Sequence, residues 1–238
     1  MRVIPVIDLK GGLAVRAIRG DRENYQPIAT PLAPDATEPL SIAGALLGVC
    51  PAFDSLYVAD IDGIVGRPRN AGLRIAAKLA AAVPGIRILF DNGCSGPDDL
   101  AGMPKASGII PVIGTETLSS AGALAEIAME LSGNLALSLD WRADQRLGLD
   151  EVYEQSALWP QTVIVMTLDR VGAGAGPDFK RLQQVKALAG SREVLAAGGV
   201  RGLDDLHALK EMGCGALVAT ALHDGSLRPA DLAELLET

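Results

Sequence analysis

Apolar residues recur along this chain in short unbroken runs, and each run stops at a carboxylate, a glycine or another small residue. The runs at 3–7, 55–59, 87–90, 108–113, 134–139, 162–167, 193–197 and 216–218 are rich in Val, Ile and Leu on successive positions. Strands covered on both faces have this pattern, whereas half-exposed strands alternate apolar with polar. Between the runs the spacing becomes helical, in Ala/Leu-rich stretches at 38–49, 70–82, 121–131, 179–188 and 203–212. Gly202 precedes the last of these and Gly213 follows it, a C-terminal stop signal. Strands alternating with helix-length segments predict a parallel sheet with crossover helices.

The run ends repeat. In the first half they are Asp8, Asp60, Asp91-Asn92-Gly93 and Gly114-Thr115; in the second they are Asp140, Thr167-Leu168-Asp169, Gly198-Gly199 and Ala219-Thr220. Each half thus reads carboxylate, carboxylate, glycine turn, then a small residue with Thr. Four ends per half predict a closed (β/α)8 TIM barrel with internal half-barrel duplication. The half-repeats are about 1–118 and 119–238, within one domain. A barrel of this kind gathers every run end on one face. The longest interval, 10–39, contains Gly11-Gly12, Arg16, Arg19-Gly20-Asp21-Arg22 and Tyr25-Gln26-Pro27. Its length is that of a functional cover rather than a spacer, and 13–18 admits a short hairpin.

Composition narrows the partners. The chain is 49% hydrophobic with a net charge of −8, and no stretch gathers Lys and Arg with aromatics, which argues against nucleic acid or an anionic membrane. The apolar stretch at 42–53 is interrupted by Gly44, Gly48 and Pro51 and is too short to span a bilayer. With no leader pattern before the first run, a cytoplasmic protein is expected. Cys50, Cys94 and Cys214 are far apart and odd in number, so neither a disulfide framework nor a metal site is indicated. His207 and His223 are the only histidines; the first falls inside an outer helix and the second follows the eighth run. No metal and no cofactor is expected. The oligomeric state is left open.

Two kinds of chemistry are written into the run ends. Glycine turns ahead of helix N-termini let backbone N–H groups approach an anion. One such station pairs Gly93 with Gly114-Thr115, and the other pairs Gly198-Gly199 with Ala219-Thr220, with Gly172 nearby. Tight turns alone also call for glycine, so each position carries both readings. Two stations imply an elongated substrate with a phosphate at each end. Asp8 and Asp140 end the first runs of the two halves, so a half-barrel rotation sets them on opposite sides of the mouth. One protonated and one ionised carboxylate are what general acid/base chemistry at a sugar needs. Asp60 and Asp62 read as structural, and Asp169 is intermediate. Lys10 is either a Schiff-base lysine or an exposed partner of phosphate or Asp8. Arg16 is a further binding candidate, and Trp141 either stacks on a planar ring or packs the rim.

The residues Ile4-Pro5-Val6-Ile7-Asp8-Leu9-Lys10-Gly11-Gly12, Val15-Arg16, Gly20-Asp21, Asp60-Ile61-Asp62-Gly63, Gly66-Arg67-Pro68-Arg69-Asn70, Gly114-Thr115, Asp140, Gly198-Gly199 and Asp204-Asp205 carry a resemblance over essentially the whole chain. Together they resemble the phosphoribosyl isomerase of histidine biosynthesis and its sister cyclase. That resemblance implies a duplicated TIM barrel, two phosphate sites, no metal or organic cofactor, and an Amadori rearrangement of an aminoaldose with Asp8 as base and Asp140 as acid. The chain departs from the pattern at functional positions. Asp91-Asn92-Gly93-Cys94-Ser95 stands where the isomerases have a triple glycine followed by Ile-Arg, and Val171 and Ala173 replace hydrogen-bonding residues after the sixth run. An Asp at 91 repels phosphate, which predicts one anion, on the Gly198-Gly199 side. The loop around Tyr25 is similar to that of a branch met in methanogens and methylotrophs, associated with one-carbon coenzyme metabolism. The expected function is acid/base isomerisation of a phosphorylated sugar-like substrate by a divergent paralogue. The alternatives are a Schiff-base lyase or synthase in methanopterin or methanofuran biosynthesis, and a non-catalytic phosphate-binding or partner subunit.

Overall fold

Eight strands run parallel and close on themselves in the computed structural model, which describes residues 1–104 and 108–237. They are β1 (Val3–Lys10), β2 (Ser55–Asp60), β3 (Arg87–Asp91), β4 (Ile109–Gly114), β5 (Ala136–Arg142), β6 (Thr162–Thr167), β7 (Glu193–Ala197) and β8 (Gly215–Val218). Each pairs with its neighbours in sequence order, and β8 returns to β1 with Ala216 opposite Val3. The chain is therefore a (β/α)8 TIM barrel, as the runs predict.

The ladder register carries the duplication. From Asp8 the paired residues run through Ala59, Asp91 and Val112 to Ala136, four residues before Asp140. From Asp140 they run through Met166, Ala197 and Leu217 to Ile4, four residues before Asp8. The two half-turns are the same, and together they give the stagger of eight expected of a TIM barrel. This register matches Asp8 with Asp140, Asp91 with Ala197, Gly93 with Gly199, and Gly114-Thr115 with Ala219-Thr220.

Side chains alternate between two apolar layers. Ile4, Tyr57, Leu89, Val112, Ala136, Ile164, Leu195 and Leu217 fill the barrel interior. Leu56, Val58, Ile88, Phe90, Leu137, Leu139, Val163 and Val194 face outward against the helices. Both faces are dry, which is why the strands read as continuous apolar runs. The longer helices are Pro39–Leu47, Asn70–Ala82, Ala121–Glu130, Phe179–Ala189, Leu203–Glu211 and Pro229–Glu237. Caps fix several starts: Glu38 accepts a hydrogen bond from Ser41 N at 3.0 Å ahead of Pro39, Ser120 from Ala123 N at 3.0 Å, and Asp178 from Arg181 N at 3.1 Å.

Strand ends differ from the sequence reading where hairpins prolong them. β1 continues to Lys10 because it pairs antiparallel with Leu13–Arg16 across a Gly11-Gly12 turn, and β5 continues to Arg142 through its pairing with Gln145–Arg146. The 3–10 helix Pro97–Gly102 follows β3, and the short helix Asp150–Glu154 follows β5. Among the described residues no helix is long and apolar enough to cross a membrane.

The loop after β5 folds back onto the end of β4 through Gly148. Its φ is +88°, and a Cβ there would lie 1.8 Å from the Thr115 carbonyl oxygen. Left-handed strain and a backbone clash then act together. Gly148→Ala is expected to lower stability by about 2–4 kcal/mol, read as a lower midpoint in urea unfolding.

Candidate active site

The carboxyl ends of the strands surround a cavity of about 310 Å³. Asp8, Asp91 and Asp140 line it, each at or near the last inward position of its strand. Asp8 and Asp140 are equivalent in register, so the half-turn of the barrel puts them across the mouth from each other. The surroundings of the two differ. Asp140 is 3% exposed; its Oδ1 accepts from Ser138 Oγ at 2.6 Å, and its Oδ2 from Thr115 Oγ1 and Glu116 N, both at 3.2 Å. The Asp140 N–H and carbonyl are also engaged by Tyr153 OH, at 3.1 and 2.6 Å. Among the described residues no hydrogen bond reaches the Asp8 carboxylate. Asp91 accepts from Tyr57 OH and from Gly93 N, each at 3.1 Å.

Burial pushes all three carboxyls up, because a charge is poorly solvated in this cavity. Asp8 rises to about 7, with the Arg22 guanidinium pulling it back and Asp91 pushing it further. Asp91 rises to about 6, burial outweighing the hydrogen bond from Gly93. Asp140 is raised by burial first and then by the Glu116 charge, against the hydrogen bond from Ser138. Tyr57 is held well above its ordinary value by burial and by Asp91, so it serves as a donor.

The two glycine stations are unlike. Gly198, Gly199, Ala219, Thr220 and Gly172 all line the cavity. Among the described residues no acceptor takes the backbone N–H of Gly198, Gly199 or Ala219. Their first-half counterparts are turned inward: Gly93, Gly114 and Thr115 are buried, and none lines the cavity. Gly93 N is spent on Asp91, Thr115 N on Ser138 O at 2.9 Å, and Glu116 N on Asp140. Packing also contributes to the glycines. A Cβ on Gly199, whose φ is +93°, would lie 2.2 Å from Gly176 O.

The remaining sequence candidates lie around this centre. Lys10 Nζ donates to the carbonyls of Arg22 at 2.9 Å and Glu23 at 2.7 Å, pinning the first loop from outside the cavity. Arg16 is exposed and borders a smaller recess with His223, whose Nδ1 is 3.0 Å from Thr30 Oγ1. Asp169 is exposed and accepts from Ala143 N at 2.9 Å. Trp141 points away from the mouth, its ring 4.9 Å from Tyr153 and beneath the Arg181 guanidinium at 5.0 Å. His207 is exposed on its helix. Asp62 caps the Gly11 turn, accepting from Gly11 N at 2.6 Å.

Among the lining residues that sequence reasoning overlooked are Arg22, Tyr25, Tyr57 and Glu116, with Arg201, Asp224 and Ser226 on the second-half side. Arg22 and Tyr25 lie in the long loop whose length signalled a cover. Tyr57 is the one aromatic on an inward β2 position, and Glu116 directly follows Gly114-Thr115. Arg22 and Glu116 form a two-pronged ion pair, with Nη1 to Oε2 at 2.9 Å. Among the described residues no group of three or more His, Cys, Asp or Glu side chains is arranged to hold a metal.

Residues 2–228 match the family model described as "Histidine biosynthesis protein". Among curated relatives, the chain is 30% identical to a 1-(5-phosphoribosyl)-5-((5-phosphoribosylamino)methylideneamino)imidazole-4-carboxamide isomerase of Thermus thermophilus, over 96% of this chain and 97% of the relative. It is 28% identical to the isomerase of that name from Moorella thermoacetica, covering 95% and 94% of the two chains. It is also 28% identical to an uncharacterised protein of Methanocaldococcus jannaschii, covering 99% and 98%.

The buried carboxyls have a consequence for stability. A carboxyl whose native pKa is raised favours folding at pH below its unfolded value, and that contribution is lost as pH rises through the native value. For Asp91 the window runs from about 4 to about 6. Asp91→Asn removes this loss while retaining an acceptor for Gly93 N. Relative to the unsubstituted chain it should be more stable at pH 8 than at pH 4 by about 1–3 kcal/mol, measured as the difference in urea unfolding free energy at the two pH values.

Proposed function

The chain belongs to the histidine biosynthesis protein family, and from that premise we propose that it is an aldose–ketose isomerase acting on a phosphorylated sugar-like substrate. The observation that carries this reading is the placement of Asp8 and Asp140 at equivalent positions of β1 and β5 on one cavity, in unequal surroundings. Asp140, raised by burial and by the Glu116 charge against the donors Ser138, Thr115 and Glu116 N that position it, is assigned the role of acid. Asp8, eased by Arg22, is the group that loses its proton.

The steps follow from these states. With the substrate anion on the Gly198, Gly199 and Ala219 N–H groups, Asp140 protonates the ring oxygen and its bond to C1 breaks. Asp8 takes the proton from C2, and the electron pair forms the C1–C2 double bond of an enol or enaminol. The proton held by Asp8 then goes to C1, and the hydroxyl proton on C2 returns to Asp140. A ketose results, and both carboxyls regain their starting states. Only one station is open to the cavity, so the substrate carries its phosphate at the Gly198-Gly199 end. This departs from the doubly phosphoribosylated compound in the relatives' name.

Asp8→Asn and Asp140→Asn should each reduce kcat about 10²–10⁴-fold while phosphate binding persists in calorimetry; full activity in either rules out this pair. The kcat/KM of the unsubstituted chain should rise with pH through about 7 as Asp8 ionises, then fall as Asp140 loses its proton. A crystal soaked in inorganic phosphate should hold one anion at the mouth, against Gly198 and Gly199. Two anions would refute the single-phosphate substrate.

A further inference from the structure

The barrel is twofold in backbone register, yet an acid/base pair needs two unlike carboxyls, so something must break the symmetry. Two acids of the first half have apolar counterparts in the second: Asp91 is matched by Ala197, and Glu116, two residues past β4, by Ala221, while the second half brings Asp140, Arg201 and Asp224 to the cavity. Besides Asp91, the first half contributes the paired charges of Arg22 and Glu116. Arg22 arrives from the first loop, its backbone carbonyl fixed by Lys10 Nζ, and its guanidinium grips Glu116 in two places. Both side chains line the cavity that holds Asp8 and Asp140. Glu116 is joined to Asp140 through its own N–H.

We propose that the Arg22–Glu116 ion pair is the positioning element that divides acid from base, its cationic end stabilising ionised Asp8 and its anionic end keeping Asp140 protonated. One salt bridge thereby acts on two groups in opposite senses. The effect is electrostatic and local, because a half-buried pair is screened less than one in water. The charges seen by the two carboxyls agree with this geometry. Asp8 is faced by Arg22, Asp91, Tyr25 and Tyr57, of which Arg22 alone favours its ionised form. Asp140 is faced by Glu116, Asp91, Tyr57 and Tyr153, and Glu116 heads the charges that oppose its ionisation. Neither Arg22 nor Glu116 transfers a proton in the proposed steps. The inference rests on the acid/base reading of Asp8 and Asp140, but its test requires no turnover.

The test is carboxyl 13C NMR titration of the full chain without substrate, with the two aspartate signals assigned by Asp8→Asn and Asp140→Asn. In the double variant Arg22→Met, Glu116→Gln the Asp8 midpoint should rise and the Asp140 midpoint fall, each by about one pH unit, so that the gap between them closes. Arg22→Lys keeps the charge and should leave the Asp8 midpoint within a few tenths of its original value. Glu116→Gln alone preserves the loop anchor at Lys10, so it stands in should the double variant not fold; there the Asp140 midpoint should drop by more than that of Asp8. Midpoints that stay put, or that move in the same direction by the same amount, overturn the proposal. If the midpoints respond as expected but Asp8→Asn retains full isomerase activity, the acid/base reading fails while the electrostatic role of the pair stands.

Discussion

Everything at the mouth depends on the register of the closed barrel. A strand slipped by one residue turns its inward side chains outward, and closure allows only one consistent stagger around eight strands. In this chain that stagger is divided equally between the halves. It brings Asp8 and Asp140 to matching heights on opposite walls and Asp91 to the wall between them. The apolar interior fixes the register, since Tyr57, Leu89, Val112, Ile164, Leu195 and Leu217 have to face inward together. The geometry of the mouth is a consequence of how the core packs.

The cost of that geometry is concentrated in buried carboxyls. Asp8, Asp91 and Asp140 cannot all ionise cheaply around one cavity, and the structure answers each differently. Asp140 is saturated with donors, Asp91 accepts from a tyrosine hydroxyl and a backbone N–H, and the Asp8 carboxylate has no hydrogen bond among the described residues and faces a guanidinium. Equivalent positions of the two halves thus meet unequal surroundings. The glycine turns show a similar division. The second half leaves its N–H groups open to the cavity, while the first half spends them on Asp91, Ser138 O and Asp140.

The fold was legible because strands dry on both faces must be apolar at every position, while the helices between them are Ala/Leu-rich at helical spacing. Strand boundaries drifted by more than one residue only at β1 and β5, where hairpins add polar residues to a strand and erase the pattern. Within the site, Asp8, Asp140, Gly198, Gly199, Ala219, Thr220 and Gly172 were visible as run ends or nearby turn glycines, and all line the cavity. Trp141 stands next to Asp140 in sequence and on the opposite face in space, as strand alternation requires. Lys10 has Asp8's facing in β1, but the hairpin carries it past the cavity to the loop carbonyls. Arg22 and Glu116 were out of reach, being separated by 94 residues, so that no local pattern relates them.

By itself, then, the sequence determined the barrel, its doubling, and which carboxylates stand at strand ends, because periodicity and strand termination are local properties of the chain. Tertiary structure alone decided which glycine turn faces the cavity, which loop cation meets which acid, and how far each carboxyl is shifted. Those outcomes depend on desolvation and Coulomb interaction among groups that only barrel closure brings together.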